Sequence, residues 1–262
     1  MLVQTSGDVP LLGGEVVAPG WQRIRPAEGS TAEETWRLLN EKPGVLRAER
    51  SVRYRLLGFP TPAVPAPLRI LTALGDPDDP RLVDCWGHAR IGAQAAWGRT
   101  RGAGALAVGV VDTGIEARHE DLGGSRIEAG PNLVRPGHAP DDEVGHGSHV
   151  AGTIGATGNN GVGLAGIAHG VRVLAVKVLG GDGSGSVDDI AAGIRAATTA
   201  GVSVMNLSLG GAQPSRLLAE AVAEAVRHDV VVVAAGNDGD ARVTYPASLP
   251  GVLAVGATDH QD

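Results

Sequence analysis

The chain has 262 residues, with 22 Lys and Arg, 29 Asp and Glu, and a formal net charge of −7. Because acidic and basic residues are interspersed, the chain offers neither a basic surface for nucleic acid nor a polybasic membrane anchor, and neither partner is expected. No apolar run approaches the about 20 residues of a membrane helix, and the start MLVQTSGDVP lacks the regions of a secretory signal.

The amino-terminal part carries weak structural signals. Residues 1–20 show no periodicity. Ser30, with Glu33 three residues later, predicts a capping box at the start of a short helix. Polar and apolar side chains alternate over residues 51–56, which predicts a half-buried strand.

The sequence changes character after residue 57. A proline-rich stretch at 58–75 predicts a linker between a small unit at 1–57 and a main domain at 76–262. In the main domain, strands are predicted at 105–111, 171–178, 202–207, 230–235 and 252–255, and helices at 146–156, 187–200 and 214–227. Strands that are apolar on both faces and separated by helices predict an α/β fold, with a mostly parallel central sheet covered by helices on both faces.

Two short motifs carry polar residues at predicted element ends. Asp112 follows a buried strand, where an aspartate either caps a turn or orients a catalytic group. His146 and His149 open a predicted helix, but the His-Glu-x-x-His pattern of zinc proteases is absent, and a structural role is the alternative. An aspartate followed by a histidine is one of the chain orders known for serine-protease triads.

Taken together, the motifs resemble those of the subtilisin-like serine proteases, the subtilases. The matching segments are VGVVDTG (108–114), HGSHVAGTIGA (146–156), MNLSLGG (205–211), VVAAGNDG (232–239) and YPASLPGVLAVGATD (245–259). Five such segments in family order make chance similarity a poor explanation. The resemblance implies a serine endopeptidase that acts on peptide or protein substrates outside the cell, with a subtilisin-like fold over about 76–259.

The resemblance also implies roles for individual residues. His146 would be the general base, Asp112 would orient its imidazole, and Asn237 would donate to the oxyanion. His149 would be structural. From the residues alone, Asn237 could equally be a turn asparagine. The two walls of the substrate cleft would consist of Gly183, Ser184 and Gly185 on one side and Ser208, Leu209 and Gly210 on the other.

A structural calcium site is implied for the loop TGNNGVGLAGIA at 157–168. Its ligands would be the side chains of Asp76, Asp121 and Asn160 and the carbonyl groups of Thr157, Val162 and Leu164. A plain glycine turn is the alternative, and Asp78 and Asp79 compete with Asp76 for the role of ligand.

The family's nucleophile motif, Gly-Thr-Ser-x-Ala, does not occur among the 262 residues. The chain alone is therefore predicted to be inactive, with a peptidase domain that is incomplete at its carboxyl end. Residues 30–57 resemble part of a propeptide, predicted to inhibit the same chain, and a monomer is expected. The alternatives are a catalytically dead peptide-binding module and a nucleotide-binding loop at 180–186, which fails the G-x-G-x-x-G pattern at Ser186.

Overall fold

The computed structural model of the chain describes residues 1–6, 11, 13–57, 76–123, 126–239 and 242–259. The linker predicted at 58–75 lies outside these residues. Within the described ranges, no helix is both long and apolar enough to cross a membrane. The elements in chain order are β1 (Leu2–Thr5), β2 (Glu15–Ala18), β3 (Trp21–Arg23), α1 (Ala32–Asn40), β4 (Val45–Glu49), β5 (Arg53–Leu56), α2 (Trp86–Arg90), α3 (Ala93–Trp97), β6 (Ala107–Asp112), β7 (Ile127–Asn132), α4 (His146–Gly155), β8 (Arg172–Lys177), β9 (Ser184–Ser186), α5 (Val187–Thr199), β10 (Val204–Leu207), β11 (Leu209–Gly210), α6 (Arg216–Ala225), β12 (Val230–Ala234) and β13 (Leu253–Val255).

The centre of the fold is a six-stranded sheet in the order β13-β12-β10-β6-β8-β7, in which every strand pair is parallel. Helix α4 packs on one face, and α5 and α6 pack on the other. Val110 and Val111 of β6 are both fully buried but belong to opposite cores, because successive strand side chains point to opposite faces. The predicted α/β fold is confirmed.

The five strands and three helices predicted in this domain are present, and their ends lie within two residues of the predicted ones. Strand β7 and the short helices α2 and α3 were not predicted. Strand β7 contains Gly130 and Pro131, which disfavour a strand, and it tolerates them because it lies at the edge of the sheet.

The amino-terminal unit is an antiparallel sheet in the order β2-β3-β1-β4 with helix α1. Two of these strands, β1 and β2, lie within residues 1–20, for which no periodicity was found. In β1 the reason is that both faces are covered: Leu2 packs into the main core, and Val3 packs with Leu39 and Ala48. A strand that is buried on both sides shows no alternation in its sequence.

Helix α1 has its cap one residue later than predicted. The backbone N–H of Glu34 donates to Thr31 Oγ1 at 3.1 Å, and the backbone N–H of Thr31 donates to Glu34 Oε2 at 2.8 Å. The capping box therefore pairs Thr31 with Glu34, and the predicted pair of Ser30 and Glu33 was wrong. Adjacent hydroxyl residues followed by adjacent glutamates allow both registers in the sequence.

The strand predicted at 51–56 is β5, and it lies in the main domain's cleft. It forms the middle strand of an antiparallel three-stranded sheet, between β9 and β11. Tyr54 is buried, whereas Arg53 and Arg55 are exposed, as the alternation predicted. The segment that leaves the amino-terminal unit thus bridges two edges of the main domain.

Candidate active site

Asp112 and His146 meet at the carboxyl edge of the parallel sheet. Asp112 ends β6 and His146 begins α4, and the distance from His146 Nδ1 to Asp112 Oδ1 is 2.6 Å. The side chain of His146 is 4% exposed, and that of Asp112 is 0% exposed. A carboxylate at Nδ1 holds the proton on that nitrogen and leaves Nε2 to act as a base.

The environment of His146 favours its protonated form. Burial lowers the pKa of His146, but the hydrogen bond and charge of Asp112 and a hydrogen bond with the backbone of Leu57 raise it. The net pKa lies above the ordinary value for histidine. The site thus stabilises the imidazolium that forms when the base has taken up a proton.

A second carboxylate, Asp142, joins the turn after Asp112 to the start of α4. Its Oδ1 accepts hydrogen bonds from Thr113 Oγ1 at 2.8 Å and from the backbone N–H of Gly145 at 2.9 Å. Its Oδ2 accepts from the backbone N–H and the hydroxyl of Ser148 at 2.9 and 2.7 Å. Burial raises the pKa of Asp142, but the hydrogen bonds from Ser148 and from the backbone N–H groups of Val144 and Gly145 outweigh it and hold the pKa below its ordinary value.

Sequence analysis did not identify Asp142 as part of the site. Helix α4 begins after Gly145, which has no side chain with which to cap the helix. An aspartate three residues before a glycine N-cap was the signal that could have identified Asp142, since a negative charge near a helix amino terminus is favourable.

Lys177 lies opposite Asp112 in the register of β6 and β8. It is fully buried, and its ammonium group donates to the carbonyl oxygen of Thr113. Burial lowers the pKa of Lys177, and nearby carboxylates oppose that shift. The amine therefore holds the backbone that directly follows Asp112.

A cavity of about 210 Å³ opens beside His146. Asn237, Ser208 and Leu57 are among the residues that line it. Asn237 follows β12 after Gly236, whose φ of 138° is a conformation that favours glycine. His146 and the predicted oxyanion donor thus face one opening. It lies at the carboxyl edge of the sheet, where β6 and β12 end on either side of β10.

The residues predicted to bind substrate line the two walls that enclose β5. The backbone N–H of Leu56 donates to the Gly183 carbonyl at 2.9 Å, and that of Leu57 donates to the Ser208 carbonyl at 3.2 Å. The antiparallel register pairs Tyr54 with Gly185, Arg55 with Ser184 and with Gly210, and Leu56 with Leu209. A segment of the chain itself therefore occupies the groove as an added strand.

Residues predicted to bind calcium gather around Asp121. Its Oδ1 accepts from Asn160 Nδ2 at 3.1 Å, its Oδ2 from the backbone N–H of Leu164 at 2.9 Å, and its carbonyl oxygen from the N–H of Thr157 at 2.8 Å. The Asn160 Oδ1 atom accepts from the N–H of Val162 at 2.9 Å. Carboxylate, amide and carbonyl oxygens suit a hard cation, so the donor chemistry of the loop fits calcium.

The carboxylate that contacts this loop from the start of the main domain is that of Asp79. It is buried and accepts from the backbone N–H groups of Asn159 and Asn160 at 2.9 and 3.1 Å. Asp76 as a ligand stays a prediction. Among the described residues, no group of three or more His, Cys, Asp or Glu side chains is arranged to hold a metal ion.

Comparison with known proteins agrees with this geometry. The sequence profile of the subtilase family (Peptidase_S8) matches residues 103–262. Subtilisin Savinase of Lederbergia lenta is 45% identical over 178 residues, which cover 68% of this chain and 64% of that protein. The alkaline protease of Alkalihalobacillus alcalophilus is 45% identical over 178 residues, which cover 68% of this chain and 46% of that protein. The chain thus spans less than two thirds of the length of either relative.

Among solved structures, fervidolysin from Fervidobacterium pennivorans, a keratinolytic enzyme related to subtilisin, matches with a TM-score of 0.77 and 30% identity. The match covers 96% of this chain and 39% of that chain, so it includes the amino-terminal unit. The family profile alone matches more than half of the residues, and the chain therefore belongs to the subtilase family of serine proteases.

Proposed function

We propose that this chain supplies the orienting aspartate, the general base and the oxyanion donor of a serine endopeptidase that hydrolyses peptide bonds. The observation that carries the proposal is the buried contact of 2.6 Å between His146 Nδ1 and Asp112 Oδ1. The nucleophile would come from a Gly-Thr-Ser-x-Ala motif, which the 262 residues do not contain, so these residues alone would not hydrolyse peptides.

In this mechanism His146 takes the proton of the serine hydroxyl through Nε2 and later returns it to the leaving amine. Asp112 keeps the ring in the required tautomer and stabilises its charged form. Asn237 would donate its side-chain N–H to the oxygen that becomes negative in the tetrahedral intermediate. The cavity shared by His146 and Asn237 supports this division of roles.

An apolar strip beside this cavity supports the proposal that a further segment packs here. Val230 of β12 and Leu253 and Val255 of β13 are 55%, 56% and 46% exposed, respectively. Ala234 and Val255 are paired neighbours that also line the cavity next to His146. Exposed apolar side chains on the two strands that end beside His146 are a suitable surface for the segment that bears the nucleophile.

The unit at 1–57 would act as an inhibitory propeptide, joined by the linker 58–75 to the peptidase part at 76–262. Its strand β5 fills the groove, and the backbone of Leu57 contacts His146. A bound segment of this kind excludes other peptides from the base for as long as it remains in place.

Contacts outside the groove support the same role. Glu49 accepts from the Ser215 hydroxyl at 2.7 Å and from the backbone N–H of Arg216 at 3.1 Å, so the amino-terminal unit caps helix α6. Trp21 Nε1 donates to Glu220 of the same helix at 2.9 Å. These contacts tether the unit to the domain that it would inhibit.

Labelling by a fluorophosphonate probe tests the proposal. The protein for this test joins residues 1–262 to the part of a relative that carries the Gly-Thr-Ser-x-Ala motif; we call it the extended chain. We expect its motif serine to be labelled slowly. In Tyr54→Ala, labelling should be about 100-fold faster, because loss of a buried aromatic side chain costs about 3 kcal/mol or more and frees the groove.

The control replaces the motif serine with alanine, which must abolish labelling in both proteins. Absence of labelling in the folded Tyr54→Ala protein would contradict the protease proposal and favour a peptide-binding module. Equal labelling rates with and without Tyr54→Ala would contradict inhibition by β5.

A structural calcium ion is part of the same proposal. Asp121, Asn160 and the carbonyl groups of Thr157, Val162 and Leu164 would hold it and so stiffen the loop that follows α4. Calcium at 100 times its dissociation constant should add about 2.7 kcal/mol to the free energy of unfolding, and a chelator should remove this gain. Thermal melting of the 262-residue chain with calcium, magnesium or chelator measures the effect, and Asp121→Asn is the matched variant. An unchanged melting temperature on chelation would contradict the site.

Family resemblance supports two further proposals, an extracellular location and a monomeric state. The second is checked by the molar mass in solution, where a stable dimer would contradict it.

A further inference from the structure

Strand β5 presents alternating side chains to two different environments in the groove. Tyr54 is 1% exposed, whereas the side chains of Arg53 and Arg55 are 64% and 71% exposed at the rim. Each arginine lies next to a carboxylate of the main domain. The groove is therefore complementary in charge to the segment that it holds.

Arg53 faces the β9 wall. Its Nε donates to Ser184 Oγ at 3.1 Å, and its Nη2 lies 3.3 Å from Asp182 Oδ2. Ser184 holds this carboxylate in turn, through its backbone N–H at 3.0 Å and its hydroxyl at 2.8 Å. These hydrogen bonds also lower the pKa of Asp182, so the wall carries a fixed negative charge.

Arg55 faces the opposite wall. Its Nη2 lies 3.5 Å from Oδ1 of Asp238, the residue that follows Asn237. Asp238, Arg53 and Arg55 also line a common cavity of about 330 Å³. A negative charge thus stands on each side of the bound strand, two residues apart along it.

Tyr54 fixes the position of the strand between these charges. Its hydroxyl donates to the Gln213 carbonyl at 2.6 Å. A Cβ at Gly211 would lie only 2.9 Å from the Tyr54 ring, so the absence of a side chain there makes room for an aromatic residue.

We propose that the groove selects extended segments with basic side chains on both sides of an aromatic residue, and that Asp182 and Asp238 determine this specificity. The inference rests on the proposed function, in which the groove binds substrate. The substrate class is then a cationic, aromatic-containing peptide, placed as residues 53–57 are placed here. Because both ion pairs are exposed, each contributes modestly and depends on salt.

Hydrogen exchange of the Leu56 and Leu57 amides in the 262-residue chain tests the proposal, because both amides are protected only while β5 is in the groove. We expect Asp238→Lys to speed their exchange about twofold to fivefold at low salt. The charge-swap double variant, Asp238→Lys with Arg55→Glu, should restore protection. About 1 M salt should remove the difference. Rates are compared with the intrinsic rate of each sequence.

The matched control is Glu33→Lys, which makes the same change in charge at the Arg50–Glu33 pair, whose side chains are similarly exposed, at 61% and 67%. This variant should leave the exchange rates of both amides unchanged. Unchanged exchange in Asp238→Lys, or a swap that fails to restore protection, would overturn the proposal. Unprotected amides in the unaltered chain would instead contradict occupancy of the groove by β5, and with it the inhibitory role proposed for the amino-terminal unit.

A second test measures the binding of two separate hexapeptides to the Tyr54→Ala chain. One has the sequence of residues 52–57, and the other has Glu in place of both arginines. We expect the basic peptide to bind about tenfold more tightly at low salt. Equal affinities would overturn the charge specificity while leaving peptide binding intact, and binding of neither peptide would overturn both.

Discussion

His146→Ala in the extended chain is expected to lower turnover about 10⁶-fold, because in subtilisin the loss of the histidine alone removes nearly all of the triad's contribution. Without the imidazole, no group would accept the serine proton, although the proposed oxyanion donor and the groove would remain. The turnover of a peptide substrate, measured after removal of the amino-terminal unit, gives the ratio. His149→Ala separates the two histidines of the motif. A large loss in that variant with little loss in His146→Ala would reverse the assignment of the base.

Asp112→Asn is expected to have a smaller effect than His146→Ala, lowering the turnover of the extended chain about 10⁴-fold. The amide retains the shape of the side chain but removes the charge that raises the pKa of His146. In the 262-residue chain the pKa of His146, followed by NMR, should fall. A pKa that did not change would contradict the pairing.

The raised pKa of His146 also sets the direction of a pH effect. A histidine with a higher pKa in the folded state stabilises that state below the pKa of the unfolded chain, and this contribution disappears as the pH rises through the folded pKa. The destabilisation caused by Asp112→Asn should therefore be greater below the ordinary histidine pKa than above it. Melting on both sides of that range provides the comparison.

The sequence correctly predicted those elements and motifs whose structure depends on a local pattern of residues. Strands that are buried on both faces are runs of Val, Ala and Leu, and the segment around Asp112 could be recognised without coordinates. In β1, Leu2 and Val3 face different cores, so burial depends on neighbours that are distant in the sequence. No local periodicity reports such an arrangement.

The candidate site shows the same contrast between local motifs and contacts of distant segments. Asp112 and His146 lie in motifs, whereas Asp142 and Leu57 act through contacts between separate segments. The contact of Leu57 with His146 depends on the path of β5 through the groove, whereas the alternation over 51–56 predicted only a half-buried strand. Asp79 competed with two neighbouring aspartates, and only the fold determines which carboxylate reaches the loop of Asn159 and Asn160.

Gly147→Ala is expected to separate His146 from Asp112 and to destabilise the fold by about 3 kcal/mol or more. A Cβ at position 147 would lie 2.1 Å from the carbonyl oxygen of Gly114 and 3.2 Å from the Asp112 Cβ. The turn that contains Gly114 is held in place, because Lys177 donates to the Thr113 carbonyl oxygen and the backbone N–H of Ile115 donates to the Pro140 carbonyl oxygen at 2.9 Å. The start of α4 would have to retreat from the sheet and take the imidazole with it.

Gly152→Ala on the same helix is the matched change, because the nearest heavy atom to its added Cβ is Leu122 Cδ2 at 4.0 Å. With nothing to displace, alanine should stabilise the helix by about 0.5–1 kcal/mol, as it does relative to glycine in helix interiors. Urea unfolding of both variants measures the two opposite effects, and the NMR pKa of His146 reports the pair. If Gly147→Ala retained both its stability and the raised pKa, α4 could not be as close to the turn after Asp112 as these distances require. The small residue after His146 is thus needed for close packing, and this packing is what brings the base to its carboxylate.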